Sequence, residues 1–392
     1  MTQMVAVSLL YDVGARDEQP GKTGLAHLVE HLMFSGSKNA PCFDDSLQAA
    51  GGECNAWTSV DMTNYYEVLP AQNIETSLWL ERDRLLNLEL TTDSVTTQRS
   101  VVCEEFKQRG TNQPYGDLQH VLHALAYTTH PYRWPTLGLT IDEVAALTRD
   151  DVLAFRARHY AVDNLVMCVS GNIAFEKAVQ LAEKWFGDIA PMHRQPRQLP
   201  IEPEQTAHRE VTVRRNVPND LLCVAFPMCR RTDPDFVVCD LISDLLANGS
   251  SARFTRNILA QTDTFTELDA SVEGTTDNGL FIVRGKLTES TSVAQALEMI
   301  FSQLDLLERD GEVTEHEIEK CANKFESSSR FDSLGYLPKA IRLCRCEMLG
   351  DAALTEHDYQ RYRAATPDDV RRVAKQLFAY RRSNVVNYLR CQ

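Results

Sequence analysis

The stretch TRDDVLAFRARHYAVDNLVMCV at residues 148–169 returns near the C-terminus as TPDDVRRVAKQLFAYRRSNVVNYL at 366–389, an offset of 218 residues that grows slightly toward the end. LLCVAF (221–226) likewise stands about 217 residues after the start of MVAVSLL (4–10). A repeat of that period limits what the chain can fold into. A chain of 392 residues exceeds one ordinary core, and each copy must bury its own apolar strands and helix faces. Strand runs mixed with helix runs, without strict βαβ alternation, argue an α+β class. We therefore expect two similar domains from an internal duplication, each a mostly antiparallel sheet packed with helices. The segment 188–208 carries four prolines and little periodicity, so it reads as a linker between domains at 1–187 and 209–392.

Along the first half, 4–12 reads as a strand. GGECNAWTSVDMTNYYEVLP (51–70) reads as a Gly-Gly turn followed by alternating strand residues. Helical periodicity covers about 73–89, 93–109, 116–127, 148–159 and 174–186, with a strand at 164–172 and an ordered loop, HPYRWPTLG, at 130–138. The formal net charge of −15 argues against nucleic acid or an anionic membrane as partner. The Arg-rich segment 371–382 then reads as a solvated helix face. No apolar run is long enough to cross a membrane, and the first residues show no basic region or cleavage pattern, so a cytoplasmic location is expected. Eleven scattered cysteines without a CxxC pair fit reduced thiols.

The chemistry concentrates in GLAHLVEHLMF (24–34). Apolar residues at 25, 28, 29, 32 and 33 repeat with helical spacing, Thr23 stands as N-cap, and Ser35-Gly36 supplies a stop. Residues i and i+4 share a helix face, so His27 and His31 can reach one ion. Glu30 beside them is placed to meet a water and not the ion. The rival reading, two satisfied histidines on a buried helix, is weak because an HxxEH string is rare by chance. A catalytic zinc normally has three protein ligands. Glu104 and Glu105 both qualify as the third by type. Gln98 and Glu105 are seven apart and share a face with Val101 and Val102, while Glu104 points about 100° away. If that face is buried against the histidine helix, Glu105 is the ligand. The corresponding helix of the second half, VVCDLISDLLANGSS, has no histidine, so only the first half keeps the motif. His120 and His123 read as ordinary helix-surface histidines, His130 as a structural loop residue, Cys54 as a small buried hydrophobe, and Tyr65 and Tyr66 as strand aromatics.

His27, Glu30 and His31, followed 74 residues on by Glu105, resemble the inverzincin metallopeptidases of the pitrilysin, insulysin and mitochondrial processing peptidase family. VGARDEQPGKTGLAHLVEHLMFSGSKN, GGECNAWTSVDMTNYYEVL, RSVVCEEF and HPYRWPTLG resemble its blocks in the family's order, and SSARFTRNIL and NGLFIV resemble its degenerate second domain. The resemblance implies a zinc endopeptidase acting on unfolded or short peptides, with Zn2+ on His27, His31 and Glu105 and with Glu30 as general base. It implies that a peptide adds as a strand beside Asn55, Ala56, Trp57 and Thr58. Chains of this length in the family usually pair, as homodimers or with a related subunit, so that four domains enclose a chamber. Two departures stand out. Gln98 replaces the usual glutamate that orients a ligand histidine, which lowers the expected metal affinity. The chain also starts where the family's second strand stands. The rival function is a non-catalytic partner subunit, of which Gln98 is the one hint.

Overall fold

The computed structural model describes residues 3–192 and 197–391. The first half runs β1 (Met4–Tyr11), α1 (Leu25–Leu32), α2 (Phe43–Ala49), β2 (Glu53–Thr58), β3 (Thr63–Pro70), α3 (Ile74–Asn87), α4 (Thr92–Phe106), α5 (Leu118–Ala126), α6 (Ile141–Ala146), α7 (Arg149–His159), β4 (Leu165–Gly171) and α8 (Phe175–Phe186). The second runs β5 (Arg209–Arg215), β6 (Leu221–Pro227), α9 (Phe236–Ala247), β7 (Phe265–Val272), β8 (Leu280–Leu287), α10 (Val293–Leu306), α11 (Glu315–Asp332), α12 (Tyr336–Met348), α13 (Leu354–Ala364), α14 (Pro367–Leu377) and β9 (Asn384–Arg390). The repeated Thr-x-x-Asp closes the same capping box in both copies. Thr148 and Asp151 start α7, and Thr366 and Asp369 start α14.

Contacts gather the chain into two compact units. The first comprises Met1–Gln108, Trp134–Pro200 and Arg330–Leu354. Its sheet has the order β2-β3-β1-β4, every pair antiparallel. β1 and β3 are the inner strands, and β1 is apolar on both faces. Val5, Val7, Leu9 and Tyr11 point into a core with Leu25, Leu28, Val29 and Leu32 of α1, while Leu10 packs on the other face with Met62 and with Cys344 of α12. Leu28 is fully buried, so truncating it to alanine costs about 2–5 kcal/mol and loosens the helix that carries the motif.

The second unit comprises Arg109–Arg133, Ile201–Ser329 and Thr355–Gln392. Its sheet has the order β5-β9-β6-β8-β7, antiparallel except for the parallel pair β5–β9. The antiparallel-rich sheets packed with helices bear out the α+β expectation.

Contacts divide the chain differently from a continuous split at 1–187, 188–208 and 209–392. The segment holding α5 belongs with the second unit, against β5, β6 and β9, and the segment holding α12 belongs with the first, against β1 and β4. The reason is the apolar second face of each inner strand, which needs a cover that its own half does not provide. The four residues 193–196 of the expected linker lie outside the described residues. Of the remainder, Arg197 is tied to Asp12 and Asp17 of the first unit, and Glu202 accepts the N–H groups of Thr128, Thr129 and His130 in the second. Strand β5 flanks β9, whereas among the described residues nothing pairs with the outer side of β4. The first sheet therefore has one strand fewer than the second.

Candidate metal centre and edge strand

The position of α1 is set by a residue that the sequence did not single out. The buried Glu18 carboxylate accepts the backbone N–H groups of Gly24 at 2.9 Å and Ala26 at 2.8 Å, filling two of the open donors of a helix N-terminus. Burial holds its carboxyl well above the usual range, against the opposing pull of those N–H groups. Gly24, not Thr23, occupies the N-cap, at φ 83°, and a Cβ there would lie 2.8 Å from Val144 Cγ2. The Thr23 hydroxyl instead donates to Glu143 at 2.5 Å and accepts from the Leu139 N–H at 2.7 Å.

With its apolar face in the core, α1 turns His27 and His31 toward α4, their rings 4.7 Å apart. Glu105 Oε2 lies 3.7 Å from His27 Nε2 and 3.4 Å from His31 Nε2. A tetrahedral zinc with bonds near 2.0–2.2 Å holds its donors roughly 3.3–3.5 Å apart, so the two Glu105–histidine spacings and the His, His, Glu donor set fit that ion. Among the described residues, no other three His, Cys, Asp or Glu side chains converge in this way. The helical phase of α4 separates the neighbouring acids. The Glu105 side chain is 18% exposed, whereas that of Glu104 is 63% exposed and pairs with Lys107 at 2.6 Å. The buried face of α4 is rotated from the expected one. Val102 is fully buried with Val95, but Val101 is 47% exposed, which places Glu105 at the rim of that face.

The Gln98 side chain lies close enough to His31 to help hold a proton on its imidazole. Burial works against charging His31, but the adjacent Glu105 more than offsets it, helped by Glu30 and Gln98. The imidazole is raised above its ordinary pKa. Glu30 accepts a hydrogen bond from the Thr58 hydroxyl. Thr58 ends β2, the edge strand of the first sheet, so Asn55, Ala56, Trp57 and Thr58 border an edge where no other described strand pairs. The period of two divides them. Cys54 and Ala56 pack toward the α1 core, and Trp57 packs on the opposite side with Leu10 and Met62.

The lesser candidates resolve structurally. His123 is buried, not on a surface, with Nδ1 2.8 Å from the Tyr132 carbonyl and Nε2 3.2 Å from Glu273. His130 Nδ1 accepts the Tyr132 N–H at 3.2 Å. Burial, aided by Asp44, pushes the Cys54 thiol up to about 12, so it is no nucleophile at neutral pH. Tyr65 is buried and hydrogen-bonded to Tyr160 at 3.1 Å. No described helix is long and apolar enough to cross a membrane.

Two family models cover most of the chain. The model described as insulinase (peptidase family M16) matches residues 1–139, and the peptidase M16 inactive domain matches residues 146–325. The zinc protease PqqE of Helicobacter pylori is 28% identical over 324 residues, 81% of this chain and 72% of that one. An uncharacterized zinc protease of Streptomyces coelicolor is 27% identical over 383 residues, 95% of this chain and 82% of its own. The crystal structure of a protease from Helicobacter pylori superposes with a TM-score of 0.92 at 26% identity, covering 99% of this chain and 94% of that one.

Proposed function

The chain belongs to peptidase family M16, the insulinase family, and on that premise we propose that it is a zinc-dependent endopeptidase of unfolded or short peptides. The observation that carries this reading is the convergence of His27, His31 and Glu105, with donor atoms within 4.8 Å of one another, and with Glu30 on the helix of the two histidines. When bound there, zinc supplies a Lewis acid for the scissile carbonyl and lowers the pKa of a water toward ~7. His27 and His31 act as neutral imidazoles, and Glu105 contributes one negative charge. Glu30 is not a ligand. Its carboxylate takes the proton from the attacking water and delivers it to the leaving amine. The outer edge of β2 offers main-chain N–H and C=O groups to an extended segment of substrate, a mode that asks little of side-chain sequence. A folded protein offers few such segments, and opening one costs much of a stability of roughly 5–15 kcal/mol.

The chain is expected to work as a pair, with a second copy or with a related subunit. The alternative, a partner subunit without catalysis, has Gln98 as its support. One experiment separates the two. The purified protein is incubated with a mixed peptide library and with one protein folded and unfolded, with and without chelator, across a dilution series. We expect chelator-sensitive cutting of peptides and of the unfolded chain, sparing of the folded form, and specific activity that falls on dilution. Absence of hydrolysis by zinc-loaded protein supports the partner reading.

A further inference from the structure

Thr58 ends the edge strand β2, and its side chain reaches from that strand to the helix that carries Glu30. The alternation of β2 turns Thr58 to the same side as Cys54 and Ala56, toward the α1 core. There its Oγ1 donates to Glu30 Oε2. A threonine hydroxyl has one proton to give. The other oxygen within reach of Thr58, Thr63 Oγ1 at 3.4 Å, gives its own proton to the Val13 carbonyl at 2.9 Å and can only accept from Thr58, and the nearer Glu30 carboxylate is the stronger acceptor. Thr63 is fully buried and stands directly opposite Thr58 in the β2–β3 register, which holds the donor on a rigid pair of strands.

We propose that Thr58 is a positioning residue for Glu30. Its hydroxyl fixes the rotation of the carboxylate about the last side-chain bond, a torsion that is otherwise broad. The inference rests on the reading of Glu30 as the base. It adds that one residue couples the edge where a peptide adds to the group that handles the proton. A substrate strand seated on β2 and the base on α1 are thereby held in one register.

The test compares Thr58→Val with Thr58→Ser. Valine keeps the branched shape and strand preference but has no donor, and serine keeps the donor. With zinc content equal to wild type, Thr58→Val is expected to lose about 10–100-fold in kcat at little changed KM, the usual cost of removing such an outer partner. Thr58→Ser is expected to recover most of it. Crystal structures of the metal-free proteins give a readout that needs no activity. Glu30 should occupy one conformer on Thr58 in the wild type and several in Thr58→Val. A kcat unchanged in Thr58→Val, a loss confined to KM, or a serine variant as impaired as the valine one would overturn the proposal. If the zinc-loaded wild type cuts no peptide, the peptidase reading fails separately. The crystallographic arm then still decides, because a wild-type Glu30 turned away from Thr58 would refute the contact.

Discussion

Replacing Gln98 by glutamate is expected to tighten zinc binding about 10-fold. Gln98 reaches toward His31 from α4, so a carboxylate in its place that bonds the imidazole would stand one ring and one hydrogen bond from the ion, roughly 6 Å by standard bond lengths. A unit charge facing a divalent ion at that distance gains at most about 5–6 kcal/mol at an effective dielectric of ~20. Screening reduces that at a site only half buried. Outer partners of ligand histidines contribute about 10–100-fold, or ~1.4–2.7 kcal/mol, and the half-exposed position points to the lower end. A further effect has the same sign. The new carboxylate sits near Glu105 and repels it in the metal-free protein, and binding relieves that repulsion. The metal-free variant should therefore be slightly less stable than wild type while its affinity rises. Competition against a chromophoric chelator at fixed pH and ionic strength measures the ratio. Equal or weaker affinity in Gln98→Glu would refute the assignment of Gln98 as the partner of His31.

Glu105→Gln should strip zinc from the purified protein while Glu104→Gln leaves the content near normal, since Glu104 pairs with Lys107 in solvent; the reverse order in metal analysis would move the ligand by one residue. Glu18→Ala orphans the buried N–H groups of Gly24 and Ala26 and should cost about 2–4 kcal/mol in denaturant unfolding, and a loss under ~0.5 kcal/mol would show that α1 does not depend on this cap. His123 is desolvated, yet Glu273 raises its pKa above the ordinary value. The stability this contributes is full below the unfolded pKa of about 6.5 and lost as pH rises through the higher folded value. The Tm gap between wild type and His123→Gln should thus shrink from about pH 5.5 to about pH 9, and a gap that widens would reverse the assignment.

What the sequence revealed and what it hid have physical reasons. The strand β1 and the helices α1 and α4 are legible because each carries its own period of apolar residues, and the strand character of 53–70 is legible too, but not the turn at 59–62 that divides it into β2 and β3. The pair His27 and His31 was legible for the same reason, being fixed by one helical turn. Glu105 is legible only through the phase of α4, which the pattern alone places one position off, since Val102 is buried and Val101 is exposed. Periodicity tells that a face is covered but not by what. The placement of α5 against the second sheet and α12 against the first therefore had no signal in either segment. Glu18 was hidden because a cap supplied from six residues before the N-cap leaves no fixed spacing. The hydroxyl of Thr58 was hidden behind a strand pattern that any β-branched residue satisfies.

The zinc content and peptide turnover of Glu30→Gln decide whether Glu30 is the base. The substitution keeps the side chain's size and an oxygen for Thr58 to donate to, and leaves His27, His31 and Glu105 in place. The variant should hold zinc as the wild type does while its turnover of an unfolded peptide falls by at least ~10²–10⁴, the usual contribution of a positioned base. Near-normal hydrolysis by zinc-loaded Glu30→Gln protein would show that Glu30 is not the base.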